Sequence, residues 1–164
     1  QRIDDQIAVL NDDFAGTTFS GDSGFETTIQ FELVAVNYVQ SNDWYTDAGS
    51  RAPSEFKSSL AQSPQEQINI YTNDAGGGGV LGYATLPPGS AGTTDDGVVM
   101  LHNTIGGRNN GYGAFNQGRT LVHEVGHYLG LLHTFDRGVC SNTYTTQGTL
   151  NSFPFSRGHI PLNN

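Results

Sequence analysis

The 164 residues are one domain's worth of chain, long enough to bury about two-thirds of the surface that the unfolded form exposes, so no disulfide scaffold is required. Sixteen carboxylates against seven Lys and Arg give a formal charge of −9, which disfavours nucleic acid and anionic membrane, since both need basic surface to displace counterions. Only 14% of residues are charged and 22 are glycine, a balance that suits a loop-rich, mixed globular domain.

Ile3, Ile7 and Leu10, with Ala8 and Phe14 close by, follow helical spacing from Arg2 to Asp13, and Gly16 supplies a stop. From Thr27 to Val39 the residues Ile29, Phe31, Leu33, Val34, Val36 and Val39 predict a strand, broken near Ser41 and Asn42. Phe56 and Leu60 share one face of a short helix from Pro53 to Ala61. Gln67 to Thr72 reads as a strand with Ile68 and Ile70 on one face and Tyr71 on the other. Gly76 to Gly79 is a turn and not a phosphate loop, because no G-K-[ST] follows it. Val80 to Leu86, ended by Pro87-Pro88, and Val98 to His102 are further strands, separated by a loop that holds Asp95 and Asp96. Asn116 is placed to cap a helix whose Leu121, Val122, Val125 and Leu129 form one stripe, with Gly130 at its end. Beyond Thr134 periodicity fades, and the stretches around Pro154 and Pro161 read as extended or irregular chain. No repeat or linker divides the chain, so a single domain is expected.

The last helix carries the chemistry. His123-Glu124-Val125-Gly126-His127-Tyr128-Leu129-Gly130-Leu131-Leu132-His133 fits H-E-x-x-H-x-x-G-x-x-H. Four residues of α-helix turn about 400° and rise about 6 Å, which sets His123 and His127 one above the other on one face. On a continued helix His133 would stand about 240° round and about 9 Å further along, on the wrong face for a shared ion. The helix must therefore break, and Gly130 permits this through a positive φ. Three neutral imidazoles on Zn²⁺ leave a fourth position open, the arrangement of a catalytic site. Glu124, about 100° off the ligand line, is placed to act as general base.

These eleven residues, with Thr134-Phe135 and Cys140 after them, resemble the pappalysin (cytophagalysin) family of metzincin zinc endopeptidases. The resemblance extends upstream through Gln6 to Phe14, Asn42-Asp43-Trp44, Gly82-Tyr83-Ala84-Thr85 and Gly97-Val98-Val99, and covers about residues 3 to 140. It implies an α/β (α+β) fold: a twisted mixed sheet, mostly parallel, packed on two helices, with an antiparallel edge strand that binds extended peptide by strand addition. Leu81 to Leu86 matches that edge, so Gly82, Tyr83 and Ala84 are expected to bind substrate. Residues 1–140 then form the catalytic domain, and 141–164 an irregular tail of it.

Two departures stand beside the match. Metzincins carry a methionine turn after the third histidine, and this chain has no methionine after Met100. The family also has a central strand before its first helix, which this chain does not show; a second chain or the remainder of the protease, a dimer partner, or the extended stretch Thr149 to Phe155 would have to fill the gap.

His102 and His159 lie outside the motif and read as a rim or core polar group and a surface residue. The paired acids Asp12-Asp13 and Asp95-Asp96 sit in loops where the resemblance allows Ca²⁺, although they lack EF-hand spacing. Cys140 has no internal partner, so it reads as a free thiol, an intermolecular link or half of a bridge whose other half lies outside this chain, in preference to a latch on the zinc. A single Lys, a single Cys, an acidic balance and no apolar run of the ~18 residues that a membrane span requires point to a processed, secreted chain. The expected function is a secreted zinc endopeptidase acting on protein or peptide. The alternative is a zinc-binding but inactive form that serves as an interaction module.

Overall fold

The computed structural model describes residues 1–17, 27–47, 54–107, 109 and 113–133. The first helix, α1 (Arg2–Phe14), forms on the expected spacing and buries Gln6, Val9 and Leu10. Asp4 and Asp5 in its first turn complement the positive end of the helix.

Three short strands build the sheet: β1 (Ile70–Asn73), β2 (Gly82–Ala84) and β3 (Val98–Leu101), in the spatial order β1-β3-β2. β1 runs parallel to β3, with Ile70 opposite Val98, and β2 runs antiparallel, with Tyr83 opposite Val99. The sheet is therefore mixed, with β2 as its antiparallel edge. Val98, Val99 and Met100 of the central strand are wholly buried, as a strand covered on both faces must be.

Side-chain alternation along β3 separates two faces. Val98 and Met100 join Leu10 of α1 and Leu121, Val125 and Tyr128 of α4 (Arg119–Tyr128) in one core, with Ile70 and Ala84 packed against it. Tyr71 and Tyr83 turn the other way, towards α3 (Glu55–Leu60). There the Phe56 and Tyr71 rings meet edge to face at 5.2 Å, and Lys57 Nζ lies 5.3 Å from the centre of the Tyr83 ring. The two helices that the resemblance implies are thus joined on the far face by α3, the short helix that Phe56 and Leu60 predict. Ser54 caps α3 by accepting from the Lys57 amide at 3.2 Å. Lys57 is fully buried and donates from Nζ to the Asp95 carbonyl at 3.1 Å. Burial lowers its pKa, against the opposing charges of Asp95, Asp96 and Asp47. The same burial, with Asp95 and Asp96 nearby, pushes the Tyr71 hydroxyl up to about 12.

Two expectations are corrected. The segment predicted as a strand from Thr27 to Val39 has no ladder partner among the described residues, and Val34, Val36, Tyr38 and Val39 are exposed. β-branched residues favour extended backbone, but a strand also needs a hydrogen-bonding neighbour. At Phe31 one side chain of α1 takes that place: Asn11 Oδ1 accepts from the Phe31 amide at 2.7 Å and Asn11 Nδ2 donates to its carbonyl at 2.9 Å. The second correction is α2 (Asn42–Thr46), a helix where a strand exit was expected; Ser41 Oγ accepts from the Trp44 amide at 3.3 Å and so opens it.

α1 also fixes the start of α4. Gln6 Nε2 donates to the Gly118 carbonyl at 2.8 Å, and Gln6 Oε1 accepts from the Gly106 amide at 3.0 Å, both buried. Gly118 has φ 70, and a Cβ there would stand 2.4 Å from the Gly106 carbonyl oxygen. The helix accordingly begins at Arg119 and not at Asn116, whose side-chain oxygen accepts from Gln117. Arg119 Nε pairs with Asp13 Oδ2 at 3.2 Å, a second tie between the two helices. Gln6→Ala leaves a donor and an acceptor buried without partners. We expect it to lower unfolding free energy by about 2–4 kcal/mol, read from the urea midpoint.

No helix among the described residues is long and apolar enough to cross a membrane. Cys140, His159 and Thr149 to Phe155 lie outside the described residues, as does the whole of 141–164.

Candidate metal centre and cleft

His123 and His127 stand one turn apart on α4. Past Tyr128 the chain reverses at Gly130, whose φ of 101 is the positive value that the sequence predicts. The Gly130 amide donates to the His127 carbonyl at 2.8 Å and the Leu131 amide to the Gly126 carbonyl at 2.9 Å, which closes the helix end and returns the chain towards its own ligand face. His133 is thereby brought back to the other two.

The three Nε2 atoms form an equilateral triangle: His123 to His127, His127 to His133 and His123 to His133 are each 3.0 Å. His127 Nδ1 lies 2.7 Å from the Leu131 carbonyl, which can only accept, so Nδ1 carries the proton and Nε2 of the neutral ring presents a lone pair. Desolvation, then the neighbouring His127 and His133, hold the His123 pKa below the ordinary histidine value, which favours the neutral, ligating form. Such a triangle fits a transition-metal ion. Its centre lies about 1.7 Å from each 3.0 Å-spaced corner, within the ~2.0–2.1 Å of a zinc–nitrogen bond, so one ion can touch all three. Among the described residues this is the one group of three that could hold a metal.

His102, expected as a rim or core polar group, stands apart from this triangle. His102 opens a short 3₁₀ turn, where its ring approaches the Tyr45 hydroxyl at 3.3 Å and the Asn73 carbonyl at 3.3 Å. The calcium expectation finds no support: Asp12 and Asp13 lie in α1 rather than in a loop, and among the described residues none of the four acids joins a group that could hold a metal. Asp96 Oδ1 accepts from Thr85 Oγ1 at 2.6 Å and the Gly97 amide at 3.0 Å; its Oδ2 accepts from the Gly92 amide at 2.8 Å and the Tyr128 hydroxyl at 3.3 Å. Asp95 accepts from the Ser54 amide, and Asp13 is committed to Arg119.

Glu124 is 6% exposed and looks into the same cleft. Burial raises its pKa, with the nearby His127 acting in the opposite direction. The cleft encloses about 760 Å³ between α4 and β2, and its lining includes Val80, Leu86, Phe115, Leu132, Glu124 and the three histidines. Gly82, Tyr83 and Ala84 also line it. The Tyr83 ring itself lies on the far face of the sheet, by Lys57. Sequence reasoning did not find the Leu131 carbonyl behind His127, nor the link from Asp96 to Tyr128. Both join residues through the fold, and neither leaves a spacing to read.

The chain matches the profile of metallo-peptidase family M12 (Reprolysin_5) over residues 2–153. It is 34% identical over 138 residues to an extracellular metalloprotease of Pyricularia oryzae, covering 83% of this chain and 44% of that protein. It is 37% identical over 144 residues to one of Colletotrichum graminicola, covering 84% and 45%. This chain thus spans about half the length of the curated relatives it matches. Among solved structures, mature mirolysin of Tannerella forsythia in complex with a cleaved peptide superimposes with a TM-score of 0.56 at 24% identity, covering 87% of this chain and 61% of that one. The likeness shows a metzincin-like fold.

Proposed function

This chain belongs to metallo-peptidase family M12, and on that premise we propose that it is a secreted zinc endopeptidase of the pappalysin branch, its catalytic unit lying within residues 1–140. His123, His127 and His133 hold Zn²⁺, Glu124 is the general base, and β2 at Gly82 to Ala84 receives extended peptide. The observation that carries this reading is the Nε2 triangle with 3.0 Å edges beside a buried carboxylate in one cleft. The pappalysin branch is supported by the motif together with the upstream Gly82-Tyr83-Ala84-Thr85 and Gly97-Val98-Val99. Secretion is supported by the relatives, which are named as extracellular proteins.

Zinc held by the three histidines would supply Lewis acidity for polarising a carbonyl or a water. Glu124 takes the proton from the water as its oxygen bonds to the carbonyl carbon, and passes it to the departing nitrogen as the C–N bond breaks. His127 keeps its proton on Nδ1, held by the Leu131 carbonyl, so its Nε2 stays available as a ligand. β2 has β3 on one side only among the described residues, so its other edge is placed to pair with a substrate strand. Apolar lining from Val80, Leu86, Phe115 and Leu132 suits apolar substrate side chains.

The test is hydrolysis of an unstructured protein by the zinc-loaded, purified protein, before and after a chelator and again after zinc is returned. Loss and recovery of cleavage are expected. Protein that retains zinc and cleaves nothing would instead select the interaction-module reading.

A further inference from the structure

We infer that Gly82 is a positioning residue for Glu124, the missing side chain at 82 being what leaves the base its place; this rests on the proposed role of Glu124. A Cβ on Gly82 would lie 3.0 Å from Glu124 Cγ, 3.4 Å from Glu124 Cδ and 3.0 Å from the Val99 carbonyl oxygen. Real Cβ contacts are seldom so short, so one of these neighbours must yield to any larger residue.

Backbone conformation does not explain the glycine. Gly82 is absent from the positive-φ glycines of the described residues and opens β2 in regular register with Met100. Glycine in a strand lacks a side chain to pack, and it suits a site of close approach by another group. The approaching group is the stem of Glu124. Two residues further along the same face, Ala84 does carry a Cβ and packs against the core, so the wall is relieved only where the base stands.

The neighbours differ in freedom. The Val99 carbonyl belongs to the central strand, whose residue is wholly buried, while the Glu124 side chain borders an open cleft. A methyl group at 82 therefore displaces Glu124 along its only free direction, away from β2. Misplacing a reacting group by about 1 Å costs as much as 10²-fold in rate.

The test is Gly82→Ala in zinc-loaded protein, with Glu124→Ala and the double variant completing a cycle by single-turnover kinetics on one peptide. Gly82→Ala is expected to lower kcat about 10–100-fold with KM within about twofold, while zinc content and the spectrum of the cobalt-substituted protein stay as in wild type. In the Glu124→Ala background, where Cγ and Cδ are both gone, the loss in the residual rate is expected to shrink to about threefold or less. An unchanged kcat, a rise in KM alone, or an equal loss in both backgrounds overturns the inference; the last would assign the effect to the Val99 carbonyl. If Gly82→Ala does not fold, Gly82→Ala with Glu124→Ala is expected to fold, and its failure overturns the inference as well. Full activity in Glu124→Gln would fail the reading of the base itself, a separate result.

Discussion

Glu124→Gln is expected to retain zinc and lose about 10²–10⁴-fold in kcat/KM, the range that a positioned general base contributes. The substitution keeps side-chain shape in a position that is 6% exposed, so the packing against Gly82 survives and only proton acceptance is removed. Stability should move the other way in the metal-free protein. Burial raises the Glu124 pKa, so above the ordinary carboxylate pKa the folded state binds more protons than the unfolded state, and Glu124 weakens folding as pH rises. A neutral amide escapes that penalty, and the variant's urea midpoint near neutral pH is expected at or above wild type. A variant that cleaves normally would remove Glu124 from the mechanism, whereas one that also loses zinc would place the residue in the metal shell.

His133→Ala has the other large effect. It leaves two imidazoles on one helix and removes the corner that lies 3.0 Å from each of them. Loss of an outer-shell partner costs 10–100-fold in metal affinity, and loss of a direct ligand should exceed about 100-fold. Competition with a chromophoric chelator measures it, with His102→Ala as a comparison that should bind zinc as wild type does, since His102 meets Tyr45 and Asn73 instead. Wild-type affinity in His133→Ala would mean that the reversal at Gly130 delivers no ligand.

The sequence carried the site more fully than the fold. The 3.6-residue period places two histidines on one face, and the demand that the third rejoin them requires a left-handed residue at 130, where φ is 101. β2 at the edge was readable from the resemblance, and α1 from Ile3, Ile7 and Leu10. What escaped was tertiary pairing. Residues 27–39 have the composition of a strand, yet no sequence pattern states which backbone lies alongside them. Asn116 has the chemistry of a cap, but Gln6, 112 residues away from Gly118, sets where α4 begins. Ser41, by contrast, gave a readable signal for α2, a capping serine three residues before the Trp44 amide it binds. The strand reading passed over it.

Asp96 receives donors from the connection between β2 and β3 and from the last turn of α4. One bank of the cleft and its floor therefore behave as a single stiff frame, anchored at the far end by Gln6 and Arg119. Their disorder has been surrendered during folding, so under the proposed function an arriving peptide would give up chiefly its own freedom on docking. Taste for particular side chains could then drift in walls outside that frame without detuning the proposed proton transfer.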